Sequence, residues 1–505
     1  MTSLDQNQEP TIHFLSRLAG QNSRVIRTSI SVVVLGDTIA YKLKQSLRLP
    51  YLDFSTPDAR FEMCQRELAF NQAYAKDLYL GTHRITRKDD GSLTLDGDGP
   101  LVDAVVAMHR FGDTDSFQFL ANNGKLTRQL LEQLVHTISA AHDLANPSSD
   151  YGGYKCMKKE LNDVFTALEQ NVPQIAAQLA DAHNVLTGLL NKDQKLLDQR
   201  KAAGKVRHCH GDLALRNICL FNGKLTAFDC IEFSDEIATI DILYDIAYLI
   251  IDLWRSDLKD LANYTFNRYL DIREESDGLS LMPYFLSFRA IVRGHADALQ
   301  GDTDLAESYF RTANDVPKSP TGVLIAIGGY SGCGKSTLAD LIAVSISAPP
   351  GARLINTDRI RKDMYMQALE ARLPKDAYLP EVSSKVYETL YAEAEKALSA
   401  GWAVIVDGVF DRKEDQARIE QVAHKLNIPF QGVWLETDLK TRIDRIESRA
   451  CKISDATDKT AREQELNLGS LTTHWHKLDA AQPLSEILQQ VLQLLGRMHT
   501  TPLQN

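Results

Sequence analysis

The chain has 505 residues, 44% hydrophobic and 24% charged. That is several times the length of a typical domain and the ordinary mixture of a packed protein, which excludes a disordered or fibrous chain and predicts two or three cores. A formal net charge of −11 argues against a surface built throughout to bind nucleic acid or an anionic membrane, because both need concentrated Lys and Arg.

The start, MTSLDQNQEP, has neither the basic opening nor the apolar core of a secretory signal, which predicts a cytoplasmic protein. Ser31 to Leu43 reads as two β-prone runs around Gly36-Asp37, a hairpin signal. A helical pattern runs from Pro57 to Ala75, a β-like run from Leu101 to Met108, and a long helical stretch from Lys125 to Ala203. A strand, loop, strand unit follows from Val206 to Phe233, then helices to about Ala306. The most apolar stretch, Ile237 to Trp254, carries Asp241, Asp245 and Asp252 and reads as a buried helix rather than a membrane span. A mostly β start followed by a mostly α continuation predicts a two-lobed α+β domain over residues 1–311.

Residues 312–322 are polar and contain Pro317 and Pro320, which predicts a linker. From residue 323 to 505 strands alternate with helices: VLIAIGG, RLINTD, AVIVDGVF and FQGVWLE. That alternation is the signature of a parallel sheet flanked by helices. The overall expectation is therefore a multidomain α/β chain. Seven cysteines without a C-x-x-C pair fit neither a disulfide framework nor a zinc ribbon and read as reduced, mostly buried thiols.

In the first domain, His210 to Asn217 reads HGDLALRN, and Asp229 follows twelve residues later in TAFDCIEF. One carboxylate to take a hydroxyl proton, with an Asn and a second Asp to hold Mg²⁺, is the grouping phosphoryl transfer needs. H-G-D-x-x-x-x-N resembles the catalytic loop of the aminoglycoside phosphotransferase and choline kinase-like group, relatives of the protein kinases. The resemblance implies a bilobal protein-kinase-like fold, Asp212 as base, and Asn217 and Asp229 as metal ligands. It extends to Ala40-Tyr41-Lys42, similar to the A-x-K of a kinase strand, whose Lys42 would pair with Glu67 beside ATP. Lys44, two residues on and so on the same strand face, is the alternative lysine, and Glu62 the alternative partner. Val105 to Phe111 would receive adenine. No G-x-G-x-x-G precedes Lys42, Ala214 stands where many relatives carry a second His, and Cys230-Ile231-Glu232 replaces Phe-Gly after Asp229. Tyr244 and Asp245 are expected behind the catalytic loop, and Arg289 and Arg293 in structural ion pairs.

In the second domain, Gly329 to Ser336 reads GYSGCGKS, a match to G-x-x-x-x-G-K-[ST] between a strand and a helix. Glycines let the backbone wrap a polyphosphate with its N–H groups inward, and the helix adds its positive end. Gly329, Ser331, Gly332, Cys333, Gly334, Lys335, Ser336 and Thr337 would line ATP, with Lys335 on the β- and γ-phosphates and Ser336 on Mg²⁺. Cys333 is either a loop filler or a reactive thiol. Asp358 and Arg361 follow the second strand; either Asp358 accepts a hydroxyl proton while Arg361 orients phosphate or substrate, or they are a helix cap and a solvated side chain. Asp407 ends the third strand as a candidate for the Mg²⁺ shell, or as a plain strand-end Asp. Arg442, Arg445 and Arg449 recur at helical spacing, as a lid over ATP or as a charged face. Trp475 and His476 read as packing.

These residues together resemble the small P-loop kinases, notably the kinase part of polynucleotide kinases, zeta-toxin-like kinases and gluconate-type kinases, over most of residues 321–480. The resemblance implies Asp358 as base and Arg361 as its contact to phosphate or substrate. The whole order resembles the bacterial bifunctional aminoglycoside phosphotransferase/ATP-binding proteins. The expectation is an ATP- and Mg²⁺-dependent enzyme with two sites that phosphorylate small hydroxylated acceptors. A 5′-hydroxyl polynucleotide acceptor stays open at the second site, although nothing beyond Thr321 forms a basic track, and one domain acting as a nucleotide switch is the third reading. The sequence leaves the oligomeric state open.

Overall fold

The computed structural model describes residues 8–49, 52–318, 322–347, 349–369, 371–448, 454–466 and 475–500. The chain divides into two compact units: Met1–Ser256 with Tyr284–Ala313, and Asp257–Pro283 with Asn314–Asn505.

After helix Glu9–Ala19, the first unit forms a six-stranded antiparallel sheet ordered Arg24–Arg27, Ser31–Leu35, Ile39–Lys44, Leu101–His109, Tyr79–Arg87, Leu93–Leu95. The predicted hairpin pairs Val33 with Lys42 and Leu35 with Ala40 around Gly36-Asp37. Helix Pro57–Ala75 begins with Thr56 accepting the Ala59 N–H and Pro57 in the first turn, a sequence-coded start. It packs on the central strand, burying Cys64 among Ala40, Ala104 and Val106. The rest of the unit is mostly helical, with strand Val206–His208 paired to Thr239–Asp241 so that the two flank the H-G-D loop and Asp229 in the chain, and Ile218–Phe221 paired to Lys224–Ala227 between that loop and Asp229. The long helical stretch resolves into Arg128–Leu144, Gly153–Asn171, Pro173–Gln178, Ala180–Lys192 and Gln194–Ala202. Helix Ile242–Arg255 is buried almost throughout, with Asp245 and Asp252 buried too, but the helix expected from Ile237 is corrected at its start, where Asp235–Ala238 is a separate short helix and Thr239–Asp241 a strand.

The predicted linker over 312–322 is corrected at its start. Helix Thr303–Asp315 continues into the turn Val316–Lys318, because Ala313 and Val316 are buried and Pro317 is compatible with the start of a tight turn. The predicted run of the first domain to 311 also differs from the division observed, since residues 257–283 fold into the second unit.

That second unit holds a parallel sheet ordered Arg353–Asn356, Val404–Asp407, Leu324–Gly329, Phe430–Glu436, Trp475–Asp479. Four of these strands are the four β-like runs of the sequence. The fifth begins at Trp475, whose ring packs so closely over Gly432 that a Cβ there would sit 2.7 Å from it, so Trp475 is packing, as expected. At the other edge, helix Lys259–Ile272 covers strand Arg353–Asn356. Asn263 Nδ2 donates to the carbonyls of Pro350 and Ala352, both at 2.9 Å, and Asn267 Oδ1 accepts the Leu354 N–H at 2.7 Å. Two side-chain amides thereby satisfy backbone groups that a neighbouring strand would otherwise take. No described helix is long and apolar enough to cross a membrane.

Candidate active sites

Strand alternation puts Lys42 and Lys44 on one face, and both turn to the buried carboxylate of Glu67. Lys42 Nζ donates to Glu67 Oε1 at 2.8 Å and also to Asp229; Lys44 donates to Glu67 and to Glu232. The sequence left Lys42 and Lys44 as alternatives for Glu67, and the fold uses both, while Glu62 is exposed. Burial alone would raise the Glu67 acid, but the two ammonium groups overcome it and hold it at about 2. Three carboxylates face two cations, and Glu232 takes the excess: burial, aided by Glu67, pushes it up against the pull of Lys44.

The H-G-D loop lies on helix Ile242–Arg255. Asp245 accepts the Gly211 N–H at 2.8 Å and meets His142 Nε2 at 3.0 Å, and Asp252 accepts the Leu215 N–H at 2.8 Å. Asp245 therefore stands behind the loop as predicted. Arg289 donates to the Tyr244 carbonyl and Arg293 pairs with Asp297. Asp212 is steadied by Asn217 Nδ2 at 2.7 Å and Arg216 Nη2 at 3.2 Å. Burial works to raise its acid, but the charges of Arg216 and His210 and hydrogen bonds from Tyr248 and Asn217 hold it low, so it stays a carboxylate. Asp229 lies in the irregular segment after strand Lys224–Ala227, not within a strand as expected, and that segment joins the loop by two backbone bonds, Phe228 N–H to the Asn217 carbonyl at 2.9 Å and Ile231 N–H to the His210 carbonyl at 3.0 Å. Asp229, at φ +67, thus stands between Lys42 and the H-G-D loop. Asn217 gives its Nδ2 to Asp212, and its side-chain oxygen makes no hydrogen bond among the described residues. With the part-exposed Asp229 carboxylate, this is a hard oxygen pair that fits Mg²⁺. Of the expected adenine segment, Val105 to His109 lies within the sheet, and only Arg110 and Phe111 leave it.

In the second unit the phosphate loop joins strand Leu324–Gly329 to helix Lys335–Ser345. Gly332 has φ +88, and a Cβ there would lie 2.5 Å from the Arg442 carbonyl, so two separate constraints require glycine. Ser336 Oγ donates to Asp407 Oδ2 at 2.5 Å, and Lys335 Nζ rests on the Tyr330 carbonyl at 3.3 Å. Asp407 is buried; that burial raises its acid against the pull of Lys335 and hydrogen bonds from Ser336 and Asn356. A hydroxyl and a carboxylate in contact at the end of this loop fit the hydrated shell of Mg²⁺.

Asn356 is the residue the sequence reading missed. Its Oδ1 accepts the N–H groups of Asp358 at 2.8 Å and Arg359 at 3.1 Å, and its Nδ2 donates to Asp407 Oδ2 at 2.6 Å. Asn356, rather than Asp358, therefore caps helix Thr357–Met364, and the Asp358 side chain makes no hydrogen bond among the described residues. Its charge reaches Asp407 and Tyr378. The signal was present in INTD, since Asn is a preferred cap. Arg361 is buried rather than solvated: it donates to the Ala377 carbonyl at 2.5 Å and lies over the Tyr378 ring, with Nε unpartnered.

The three arginines of the predicted lid part ways. Arg442 is buried, neither lid surface nor solvated face, and bonds the Ser331 carbonyl at 3.1 Å, Glu465 at 2.8 Å and the Ala461 carbonyl at 3.1 Å. Arg445 bonds the Ala480 carbonyl at 2.8 Å, and its Nη1 would lie 3.9 Å from a Cβ at Gly334. Arg449 lies outside the described residues. Gln464 Oε1 accepts the Ser331 N–H at 2.9 Å. Cys333 is buried in the loop, and burial pushes its thiol up despite Lys335 and Arg442, which agrees with a filler rather than a reactive thiol.

Residues 60–279 match the phosphotransferase enzyme family, and residues 324–470 match a family described as an AAA domain. The chain joins a segment that matches the phosphotransferase enzyme family to a P-loop segment that matches the AAA-domain model. The phosphotransferase match runs through helix Lys259–Ile272, although that helix folds with the P-loop kinase sheet. Uncharacterized proteins of Mycobacterium tuberculosis and Mycobacterium bovis are 26% identical over 486 residues, 91% of this chain and 92% of theirs. Among solved structures, a thermostable mutant of aminoglycoside phosphotransferase APH(4)-Ia aligns at 13% identity over 62% of this chain and 98% of its own, with a TM-score of 0.39. A gluconokinase from Sinorhizobium meliloti aligns at 22% identity over 35% of this chain and 93% of its own, with a TM-score of 0.26.

Proposed function

We propose that the protein is a cytoplasmic ATP-dependent phosphotransferase with two sites, each passing the γ-phosphoryl group of ATP to a hydroxyl of a small molecule. One observation carries this reading. Each domain sets an ionisable carboxylate, Asp212 or Asp358, beside a separate oxygen set suited to Mg²⁺, Asn217 with Asp229 or Ser336 with Asp407. Mg²⁺ bound at these residues would neutralise charge on the β- and γ-phosphates.

At the first site Lys42, oriented by Glu67, binds the phosphates. Asp212 takes the acceptor's hydroxyl proton as that oxygen bonds to the γ-phosphorus and the bond to ADP breaks. At the second site Lys335 and the loop N–H groups hold the phosphates, and Asp358 takes the proton. Arg361 remains a candidate contact to phosphate or acceptor through its unpartnered Nε, and Arg445 beside Gly334 a candidate contact to ATP.

The test is transfer from labelled ATP to sugars, aminoglycosides, nucleosides and 5′-hydroxyl oligonucleotides by the full chain. General-base removal at one site is expected to lower transfer there by roughly 10²- to 10⁴-fold. Asp212→Asn should do so for one acceptor class, and Asp358→Asn or Lys335→Ala for the other. Wild-type protein that binds ATP yet transfers to no acceptor would overturn the reading.

A further inference from the structure

The acceptor side of Asp212 carries a feature that neither the motif nor the family match assigns. Arg216 follows Asp212 by one turn, and its side chain is 42% exposed. Among the described residues its only hydrogen bond is to Asp212 Oδ2. The groups around it are Asp212, Tyr248, Tyr309 and Asp297. They come from the H-G-D loop and from helices Ile242–Arg255, Met282–Leu299 and Thr303–Asp315.

The carboxylates here are largely committed. Asp252 accepts from the Leu215 N–H at 2.8 Å, the Tyr309 hydroxyl at 2.8 Å and Arg255 at 3.1 Å. Asp297 Oδ1 takes Arg293 at 2.6 Å, while Oδ2 is buried and unpartnered on a residue only 2% exposed. Burial pushes the Asp297 acid up to about 6, and its buried position keeps Oδ2 from solvent. Asp302 adds a fourth carboxylate beside Asp297, but at the base itself the charged side chain left part-exposed to solvent is the Arg216 guanidinium. A polyamine-bearing sugar would have to set ammonium groups against Arg216, the charged group nearest the base, with exposed Asp302 beyond Asp297 as the carboxylate left to receive them. A carboxylate or phosphate in the same place would gain a charge-assisted, two-pronged partner.

Taking Asp212 as the base, we propose that the phosphotransferase domain acts on a hydroxyl compound carrying an anionic group, carboxylate or phosphate, near the reacting oxygen, and that Arg216 selects it. The phosphorylated hydroxyl bonds to Asp212, and the anionic group lies against the exposed face of Arg216.

The experiment uses the full chain carrying Lys335→Ala, so that turnover reports the phosphotransferase domain. One carbon skeleton is varied in charge: glucose, glucuronate, glucose 6-phosphate and glucosamine, with kanamycin as a polycation. Glucuronate or glucose 6-phosphate should exceed glucose at least tenfold in kcat/KM, and glucosamine and kanamycin should fall below it. Which of the two anions leads separates a carboxylate acceptor from a phosphate one. Arg216→Gln should raise KM at least tenfold for the anions while KM for glucose and for ATP stays within twofold, and Arg216→Lys should recover part of the loss. Because Arg216 also steadies Asp212, some fall in kcat for every sugar is expected; an equal fall in kcat with KM for the anions unchanged would confine Arg216 to the base or the transferred phosphoryl group and overturn the proposal, as would a preference for kanamycin. Direct titration of both anions with Mg²⁺ and ADP present reads binding without chemistry. Undetectable binding, or binding equal in Arg216→Gln, also overturns the proposal. Loss of turnover in Asp212→Asn, read separately, decides whether the base assignment itself stands.

Discussion

At the scale of single residues, Glu67 and Asn356 each hold two functional groups at once. Glu67 takes both Lys42 and Lys44, so Glu67→Gln should cost roughly 3–5 kcal/mol at pH 7 by leaving buried cations under-compensated. Its folded acid sits at about 2, below the ordinary Glu value, so its contribution is present above about pH 4.5 and lost as pH falls toward 2. Glu232 is shifted the other way; its contribution is present at low pH and lost as pH rises. Urea unfolding from pH 3 to 7 should therefore show the destabilisation by Glu67→Gln shrinking toward acid, and Glu232→Gln close to neutral or stabilising at pH 7. Asn356 ties the helix cap beneath Asp358 to the Asp407 carboxylate. Asn356→Ala should cost about 1 kcal/mol for the cap and lower kcat at the P-loop site at least tenfold with ATP affinity changed far less, read by turnover against equilibrium ATP binding.

At the scale of elements, the phosphate loop and the sheet edge are the two places where one helix decides what a strand can do. The loop is braced from outside by Arg442, which holds the Ser331 carbonyl, and by Gln464, which holds the Ser331 N–H. Gly332→Ala would push a Cβ to 2.5 Å from the Arg442 carbonyl at a φ of +88. It should abolish ATP binding at this site while the phosphotransferase domain still binds, a split that titration with one or two ATP equivalents resolves. At the edge, Asn267→Ala leaves the Leu354 N–H without its partner. The expected loss is about 1–3 kcal/mol, with faster hydrogen exchange at Leu354 as the local readout.

At the scale of the whole molecule, the two kinase-type domains do not part at a single cut, because residues 257–283 fold with 314–505. A fragment beginning at residue 314 lacks helix Lys259–Ile272 and exposes the strand Arg353–Asn356 that Asn263 and Asn267 cover. It should elute as aggregate and melt below the full chain, whereas an equally pure full chain should not. The sequence by itself determined the hairpin that carries Lys42, helix Pro57–Ala75, four strands of the parallel sheet, the phosphate loop and the H-G-D loop. Each is written locally, in alternation, caps or fixed glycine spacing; the pairing of Lys42 with Glu67 was expected from the resemblance to a kinase strand, and Ser336 and Asp407, each expected near Mg²⁺, are in contact. Only the tertiary structure decided that both lysines share Glu67, that Arg216 faces Asp212, that Arg442 is a buried brace, and that helix Lys259–Ile272, from within the predicted first domain, covers the edge of the parallel sheet. Those facts depend on contacts between residues tens to hundreds of positions apart, or on which way a side chain turns once burial leaves it one partner, and local periodicity encodes neither.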